Sequence, residues 1–359
     1  MKDKTSGTYE PSGKPKPVVS RGEFIFASAF FDHSHVYGQT EGLCQAGGTV
    51  KWAYDPNVAK MAEFLKKFPE AKAAQSWQQI LDDPEVILVT AAAVTNERAR
   101  IGQEAMEAGK DYLTDKAPFT TREQLQQTRK TVKATGKKYM VCYSERLMSE
   151  SSWWVGELVR QGALGRVLSM ETFGPHRLNA KTRPAWFFER EKYGGILTDI
   201  LSHQAEQFLT YTGSGRAQVE FARVENFAHP EFPEFQDFGE AVLTGESGAH
   251  GYCRVDWFNP DGLRTWGDGR LFLVGTKGYL ECRKYVDVAR GGGDRIFLVD
   301  GQGEHEILCE GKVGFPFFGK LIRDCLDRME TAMTQEHAFQ AAELSLRAQE
   351  MAESKKRAQ

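Results

Sequence analysis

Residues 194–203 read Gly194-Gly195-Ile196-Leu197-Thr198-Asp199-Ile200-Leu201-Ser202-His203. Two glycines precede an apolar run that carries a carboxylate and an imidazole four positions apart. The spacing predicts a helix over 196–210, with Asp199 and His203 on one face about one turn apart. The glycines allow another backbone or a ligand to approach the helix start closely. Burying either polar group without a partner is costly. Two readings stand side by side: a satisfied Asp–His pair inside a core, or a proton-transfer site in which Asp199 tunes an imidazole that titrates near neutrality.

Upstream of this stretch the chain alternates strand and helix patterns. Strands are expected at 23–29, 50–54, 85–91, 111–114 and 138–143, with helices near 36–46 and at 57–67, 96–108 and 121–135. This alternation implies a parallel sheet covered on both faces, a Rossmann-type dinucleotide-binding domain over 21–145. The first strand-to-helix turn of such a domain usually reads Gly-x-Gly-x-x-Gly. Here it reads Ala27-Ser28-Ala29-Phe30-Phe31-Asp32, with no glycine. Ala27, Ser28, Ala29 and Phe30 are still the candidate cofactor-binding turn, since small residues at 27 and 29 permit close approach. Asp55 ends the second strand, where an acid holds the adenosine ribose and favours NAD over NADP. Asp55 also reads as an N-cap before Pro56, which is itself a good first helical residue. Asp32-His33-Ser34-His35 offers two imidazoles at i, i+2, which share no helix face. With no third or fourth ligand nearby in sequence, the expectation is turn and capping chemistry and no metal. Lys116 follows the strand at 111–114, so it stands at the carboxyl end of a parallel strand, where open α/β sheets bind ligands.

Downstream the pattern changes. A helix at 150–162 and a strand at 166–174 lead into an irregular segment with His176, Arg183, Pro184 and Trp186. After the Gly-Gly helix, strands are expected at 217–226, 237–244, 249–257, 270–275, 278–287, 295–299 and 304–309, separated by Gly and Asp turns. Residues 146–359 therefore read as an α+β domain with a large, mostly antiparallel open sheet, closed by helices at 316–330 and 335–351. Residues 1–20, rich in Lys, Pro and Gly, read as a flexible arm.

Composition excludes several classes. The 359 residues suffice for two domains, and 41% are hydrophobic. A net charge of −3 gives no reason to expect nucleic acid or an anionic membrane as a partner. The six cysteines form no Cys-x-x-Cys pair, which suits reduced thiols in a cytoplasmic protein. No apolar run reaches membrane-spanning length and no secretory signal is expected.

The order of parts resembles the Gfo/Idh/MocA oxidoreductases. The matching features are the Rossmann half, Asp115-Lys116-Ala117-Pro118 after a short strand, the segment 162–167 (Gly-Ala-Leu-Gly-Arg-Val), Trp186, and Gly-Gly-x-x-x-Asp-x-x-x-His. The resemblance covers 23–359 in organisation and is specific at 109–118 and 162–206. It implies NAD(P)-dependent oxidation or reduction of sugars, inositols or glycosides, with Lys116, Asp199 and His203 as the catalytic set. Lys116 matches the Lys of the family's Glu-Lys-Pro motif, with Asp115 for Glu and Ala117 inserted. His203 is then general base or acid, Lys116 stabilises the developing alkoxide, and Asp199 binds a neighbouring hydroxyl or holds the imidazole. His176 and Trp186 are expected to contact substrate, the Trp by stacking on a sugar ring. This joint chemistry requires the two domains to close a cleft. The family's Thr-Pro-Asn reads Ala93-Val94-Thr95, and its His three residues on is Arg98. The resemblance also implies a homodimer or homotetramer, formed through an uncovered apolar sheet face that includes 270–275. Two alternatives share the residues: a glycosidase acting through transient oxidation by bound NAD, and a non-catalytic sugar or nucleotide sensor on the same fold.

Overall fold

The computed structural model describes Tyr9 and residues 11–357 of the chain. It divides into two compact units. One, the parallel-sheet unit, comprises Lys14–Cys142 and Gly314–Phe339. The other, the antiparallel-sheet unit, comprises Tyr143–Val313, Gln340 onward and the described residues up to Gly13. Residues 314–339, read from sequence as part of the second domain, belong to the first unit.

In the parallel-sheet unit, six strands run in the order β3-β2-β1-β4-β5-β6. They are β1 (Ile25–Ala29), β2 (Thr49–Tyr54), β3 (Lys72–Ala73), β4 (Leu88–Ala91), β5 (Asp111–Asp115) and β6 (Tyr139–Cys142). All pairs are parallel. This is the order of dinucleotide-binding sheets, with the crossover between β1 and β4. β4, β5 and β6 are buried along their whole length, as strands covered on both faces must be. Local chemistry sets the helix ends. Asn57 caps Val58–Lys67 by accepting from the N–H groups of Ala59 and Lys60. Thr121 and Gln124 form a capping box at the start of Arg122–Thr135, and Gly136 ends that helix in the left-handed region. Two elements escape the sequence pattern: the exposed two-residue β3 and the helix Trp77–Asp82.

The antiparallel-sheet unit holds eight strands in the order β14-β13-β12-β11-β7-β10-β9-β8. These are β7 (Val167–Pro175), β8 (Ala217–Glu225), β9 (Phe238–Gly245), β10 (His250–Asp256), β11 (Arg270–Gly275), β12 (Gly278–Arg283), β13 (Arg295–Asp300) and β14 (Gly303–Leu308). Only β7 and β10 pair in parallel. The alternation of β9 and β10 buries Ala241, Leu243, Cys253 and Val255 on the inner face. The helix Leu201–Thr212 packs there against β7 and β10. The outer face is less apolar than β11 alone suggests. Leu271 and Leu273 point inward, while Arg270 pairs with Asp268 and Val274 is exposed. Outer-face neighbours interlock as Tyr252–Glu240 and as Arg254 over Phe173.

The arm expected over 1–20 is anchored in its described part; residues 1–8 and 10 lie outside the description. The Tyr9 hydroxyl donates to Asp294 Oδ2 (2.5 Å) and accepts from Glu150 N–H (3.1 Å), its ring against Tyr285. Gly13 N–H donates to Glu150 Oε1 (2.7 Å), and Val18 N–H donates to Ala46 O (2.9 Å). Tyr9 and the buried Val19 supply apolar anchors that the polar composition hides. All six cysteines are free thiols. Among the described residues no helix is long and apolar enough to cross a membrane.

Candidate functional site

Each unit carries one cluster of the expected residues. In the parallel-sheet unit, Ala27, Ser28 and Ala29 are buried at the carboxyl end of β1. Phe30 turns the chain with φ 55°, the left-handed conformation that a glycine usually supplies. Its ring meets Tyr54 and Trp77 edge-on, with centroids 5.7 and 5.2 Å away. Asp55 braces the turn: Oδ2 accepts from Phe31 N–H (2.6 Å) and Oδ1 from Asn57 N–H (2.8 Å). Each carboxylate oxygen keeps one further acceptor position. Asp32, at the last motif position, pairs with Lys60 (2.5 Å) and accepts from Val94 N–H (3.2 Å).

Lys116 is buried directly after β5. Its turn is held by Arg98, 1% exposed, whose Nε donates to Ala93 O (2.8 Å) and whose Nη1 donates to the carbonyls of Lys116 and Ala117. The same guanidinium lies 3.3 Å from Asp115 Oδ2. The departure from His at position 98 is therefore the anchor of the Lys116 turn, a role the sequence reading missed. Burial alone would push the Asp115 carboxyl up. His35 at 2.8 Å, Arg98, and His33 at 3.7 Å outweigh it and hold it well below the usual carboxylate range.

In the antiparallel-sheet unit, Gly194 and Gly195 both take φ 88°. The close approach expected there is real, and its occupant is Gln349. A Cβ on Gly195 would lie 2.3–2.5 Å from the Gln349 amide. Gln349 Oε1 accepts from Leu197 N–H (3.0 Å), and Gln236 Oε1 accepts from Ile196 N–H (3.1 Å). These amides satisfy the orphan donors of the helix start. The helix expected over 196–210 is interrupted at Ile200, giving Ile196–Asp199 and then Leu201–Thr212. Asp199 and His203 are both buried.

Around His203 lies a buried polar network. Glu145 Oε2 accepts from Gln204 Nε2 (3.1 Å) and Lys284 Nζ (3.0 Å), and Lys284 also donates to Gln207 Oε1 (2.7 Å). Gln207 Nε2 donates to His203 O (3.1 Å). His176 Nε2 lies 3.7 Å from Glu145 Oε1, and its Nδ1 is 2.9 Å from Gly174 O. Burial would raise the Glu145 carboxyl. The charge of Lys284, then of His203 and His176, holds it well below the usual carboxylate range. The His176 ring also meets Trp257 and Trp266 at 5.4 and 4.7 Å. Arg183 sits over Phe187 and Trp257, its guanidinium pKa lowered by burial against the opposing charge of Asp199. Trp186 has its ring contact with Phe187, at 5.8 Å, rather than with the His176 aromatics. Glu145, Lys284, Trp257 and Trp266 were not singled out from sequence. Lys284 was within reach: Leu280 and Cys282 of β12 face inward, and position 284 continues that parity.

Residues 28–143 match the oxidoreductase family with an NAD-binding Rossmann fold, and residues 154–281 match the GFO/IDH/MocA C-terminal domain. The chain belongs to the Gfo/Idh/MocA family. This Gfo/Idh/MocA protein is similar to the crystal structure of a protein from Erwinia carotovora atroseptica SCRI1043, with a TM-score of 0.90 and 43% identity over 92% of this chain and 99% of that one. D-xylose dehydrogenase of Paenarthrobacter nicotinovorans is 30% identical over 41% of this chain and 39% of its own length. Levoglucosan dehydrogenase of Pseudarthrobacter phenanthrenivorans is 27% identical over 42% of this chain and 39% of its own. The chain thus spans about two fifths of these curated relatives in the matched region. A levoglucosan dehydrogenase in complex with NADH and levoglucosan shares the fold, with a TM-score of 0.78 at 17% identity.

Proposed function

We propose that this Gfo/Idh/MocA protein is a dehydrogenase that moves a hydride between NAD and a carbinol carbon of a sugar, polyol or glycoside. The sheet order β3-β2-β1-β4-β5-β6, with Lys116 following the carboxyl end of β5, carries the reading. The names of the xylose and levoglucosan dehydrogenases support the substrate class. The residues present suit NAD: Asp55 ends the second strand with acceptor capacity in reserve, and Phe30 gives the turn its left-handed step. Bound NAD would supply the hydride acceptor, or as NADH the donor. Ala27, Ser28, Ala29 and Phe30 would line its pyrophosphate turn.

In oxidation, His203 takes the hydroxyl proton, and the Glu145 carboxylate compensates the imidazolium that results. Lys116 stabilises the alkoxide, held in place by the turn that Arg98 fixes. Asp199 and His176 orient neighbouring hydroxyls. Trp266, beside His176, and Trp186 are the proposed surfaces for the C–H face of a sugar ring. The outer face of the eight-stranded sheet is proposed as a homo-oligomeric interface, for a dimer or tetramer.

Titration with NADH, followed by protein fluorescence, tests the cofactor. Absorbance at the NADH band with NAD and a panel of aldoses, inositols and glycosides tests the substrate. No binding at millimolar NADH to folded protein overturns the proposal. Cleavage of a glycoside without net NADH formation selects the glycosidase reading, and binding without turnover selects a sensor.

A further inference from the structure

We propose that His33, His35 and Asp115 form a binding site for a borderline divalent cation of the zinc type. In sequence the two imidazoles lacked a third ligand. The fold supplies it from 80 positions away, at the end of β5. One nitrogen from each imidazole and one carboxylate oxygen lie within 4.8 Å of one another. His35 Nδ1 is 2.8 Å from Asp115 Oδ1, and His33 Nδ1 is 3.7 Å from Asp115 Oδ2. The imidazole rings meet edge to face, with centroids 4.1 Å apart.

Two imidazole nitrogens and a carboxylate oxygen gather here, and His33 Nδ1 also accepts from His35 N–H (3.3 Å), a long bond that a bound cation would replace. Arg98 already faces Asp115 Oδ2 at 3.3 Å, while His35 Nδ1 faces Oδ1 at 2.8 Å. A divalent cation draws on all three donors together. Two imidazoles and one carboxylate suit zinc and iron(II), whereas magnesium and calcium require oxygen ligands. Three protein ligands leave a fourth position for water. The imidazole side chains, 19% and 37% exposed, leave that position and the entry path open to solvent.

The support is rigid, as ligand geometry requires. His33 and His35 stand at the start of the helix His35–Gln45, where His33 N–H donates to Ala92 O (2.9 Å). Asp115 is 1% exposed, and its Oδ2, which faces His33, also lies 3.3 Å from Arg98. Arg98 is itself pinned by the carbonyls of Ala93, Lys116 and Ala117, so it fixes the carboxylate's orientation. The site does not rest on the dehydrogenase reading, and its test uses neither NAD nor a sugar.

Full-length protein without an affinity tag, stripped with chelator and dialysed, is titrated with zinc chloride in a calorimeter. Metal per chain is then counted by mass spectrometry. Cobalt gives a second reading through its visible d–d bands. The expected result is one zinc per chain, with affinity weakened about tenfold or more by His33→Ala or His35→Ala. Both side chains are partly exposed, so circular dichroism of these variants should match the parent. His305→Ala, which removes an exposed imidazole beside Asp300, should leave zinc binding unchanged. No zinc bound at ~100 μM, a range that specific three-ligand sites exceed in affinity, overturns the proposal. So does zinc binding that survives the His33→Ala/His35→Ala double variant, or that is lost in His305→Ala instead.

Discussion

Lys284→Met should be one of the most damaging conservative-sized substitutions in the antiparallel-sheet unit. Lys284 is 1% exposed and shares its charge between Glu145 (3.0 Å) and Gln207 (2.7 Å). Methionine fits the volume but leaves the Glu145 carboxylate buried without its main cation. Removing one partner of a buried ion pair costs about 3–5 kcal/mol. For a unit of about 200 residues, each kcal/mol shifts the melting temperature by ~2–4 °C, so the expected loss is ~6–20 °C. The pH dependence gives the sharper signature. In the parent, the Glu145 carboxyl is held below its unfolded value, so its contribution is present above about pH 4.3 and is lost only as the pH falls further. In Lys284→Met, burial dominates and the folded carboxyl rises above the unfolded value. The folded variant then binds more protons than the unfolded chain, and its stability falls as the pH rises, by up to about 1.4 kcal/mol per pH unit. The gap between parent and variant should therefore widen from pH 5 to pH 8. Adding Glu145→Gln should recover part of the loss, because the unpaired charge is gone. Scanning calorimetry across that range reads all three. A loss under about 1 kcal/mol with a gap flat in pH, or no recovery in the double variant, would refute the account, because a severed buried pair costs more than that.

Three further outcomes are expected. His203→Ala should lower turnover on an identified sugar by about 10²–10⁴-fold while leaving NADH affinity unchanged, as steady-state kinetics and fluorescence titration would show. Full activity in that variant places the proton chemistry elsewhere. Gly195→Ala should lower the melting temperature, because φ 88° disfavours a Cβ and the Gln349 amide occupies its place. Adding Gln349→Ala relieves only the contact, so recovery should be incomplete in the same thermal scan. Light scattering at micromolar concentration should give a dimer or tetramer, and Val274→Lys, on the outer face of β11, should shift it toward monomer.

The parts of this chain that were legible in its sequence obey a simple period. β9 and β10 bury Ala241, Leu243, Cys253 and Val255 at alternate positions, and their bounds were read to within a residue or two. β4, buried on both faces, was read from its apolar run, and β5 from its place in the strand–helix alternation. β3 has two exposed residues and no apolar signal, so only pairing with β2 defines it. In the candidate site, Asp199 and His203 stood out because charge in an apolar run is conspicuous, and Lys116 because it follows a parallel strand and matches the Glu-Lys-Pro motif. Glu145 and Lys284 did not, because neither sits in an apolar run and their partners lie far away in the sequence. Local spacing cannot report a contact between residues 139 positions apart. For the same reason Asp115 was not seen as the partner of His33 and His35.

The glycine-free turn shows how a missing motif is rebuilt. A glycine there supplies a left-handed step and room. Phe30 takes the left-handed step itself, at a cost of roughly 1–2 kcal/mol. Contacts of its ring with Tyr54 and Trp77 offset part of that, each aromatic pair contributing about 0.5–1.5 kcal/mol. Asp55 closes the arrangement by accepting from Phe31 N–H at 2.6 Å. The acid proposed to hold the ribose therefore also holds the turn. Asp55→Asn keeps one carbonyl oxygen but presents an NH₂ group to one of two backbone donors, Phe31 or Asn57. A loss of NADH affinity in that variant would mix the ribose contact with the turn. Comparing NADH with NADPH in the same variant separates them, because a disturbed turn weakens both cofactors alike, whereas a lost ribose contact changes their ratio.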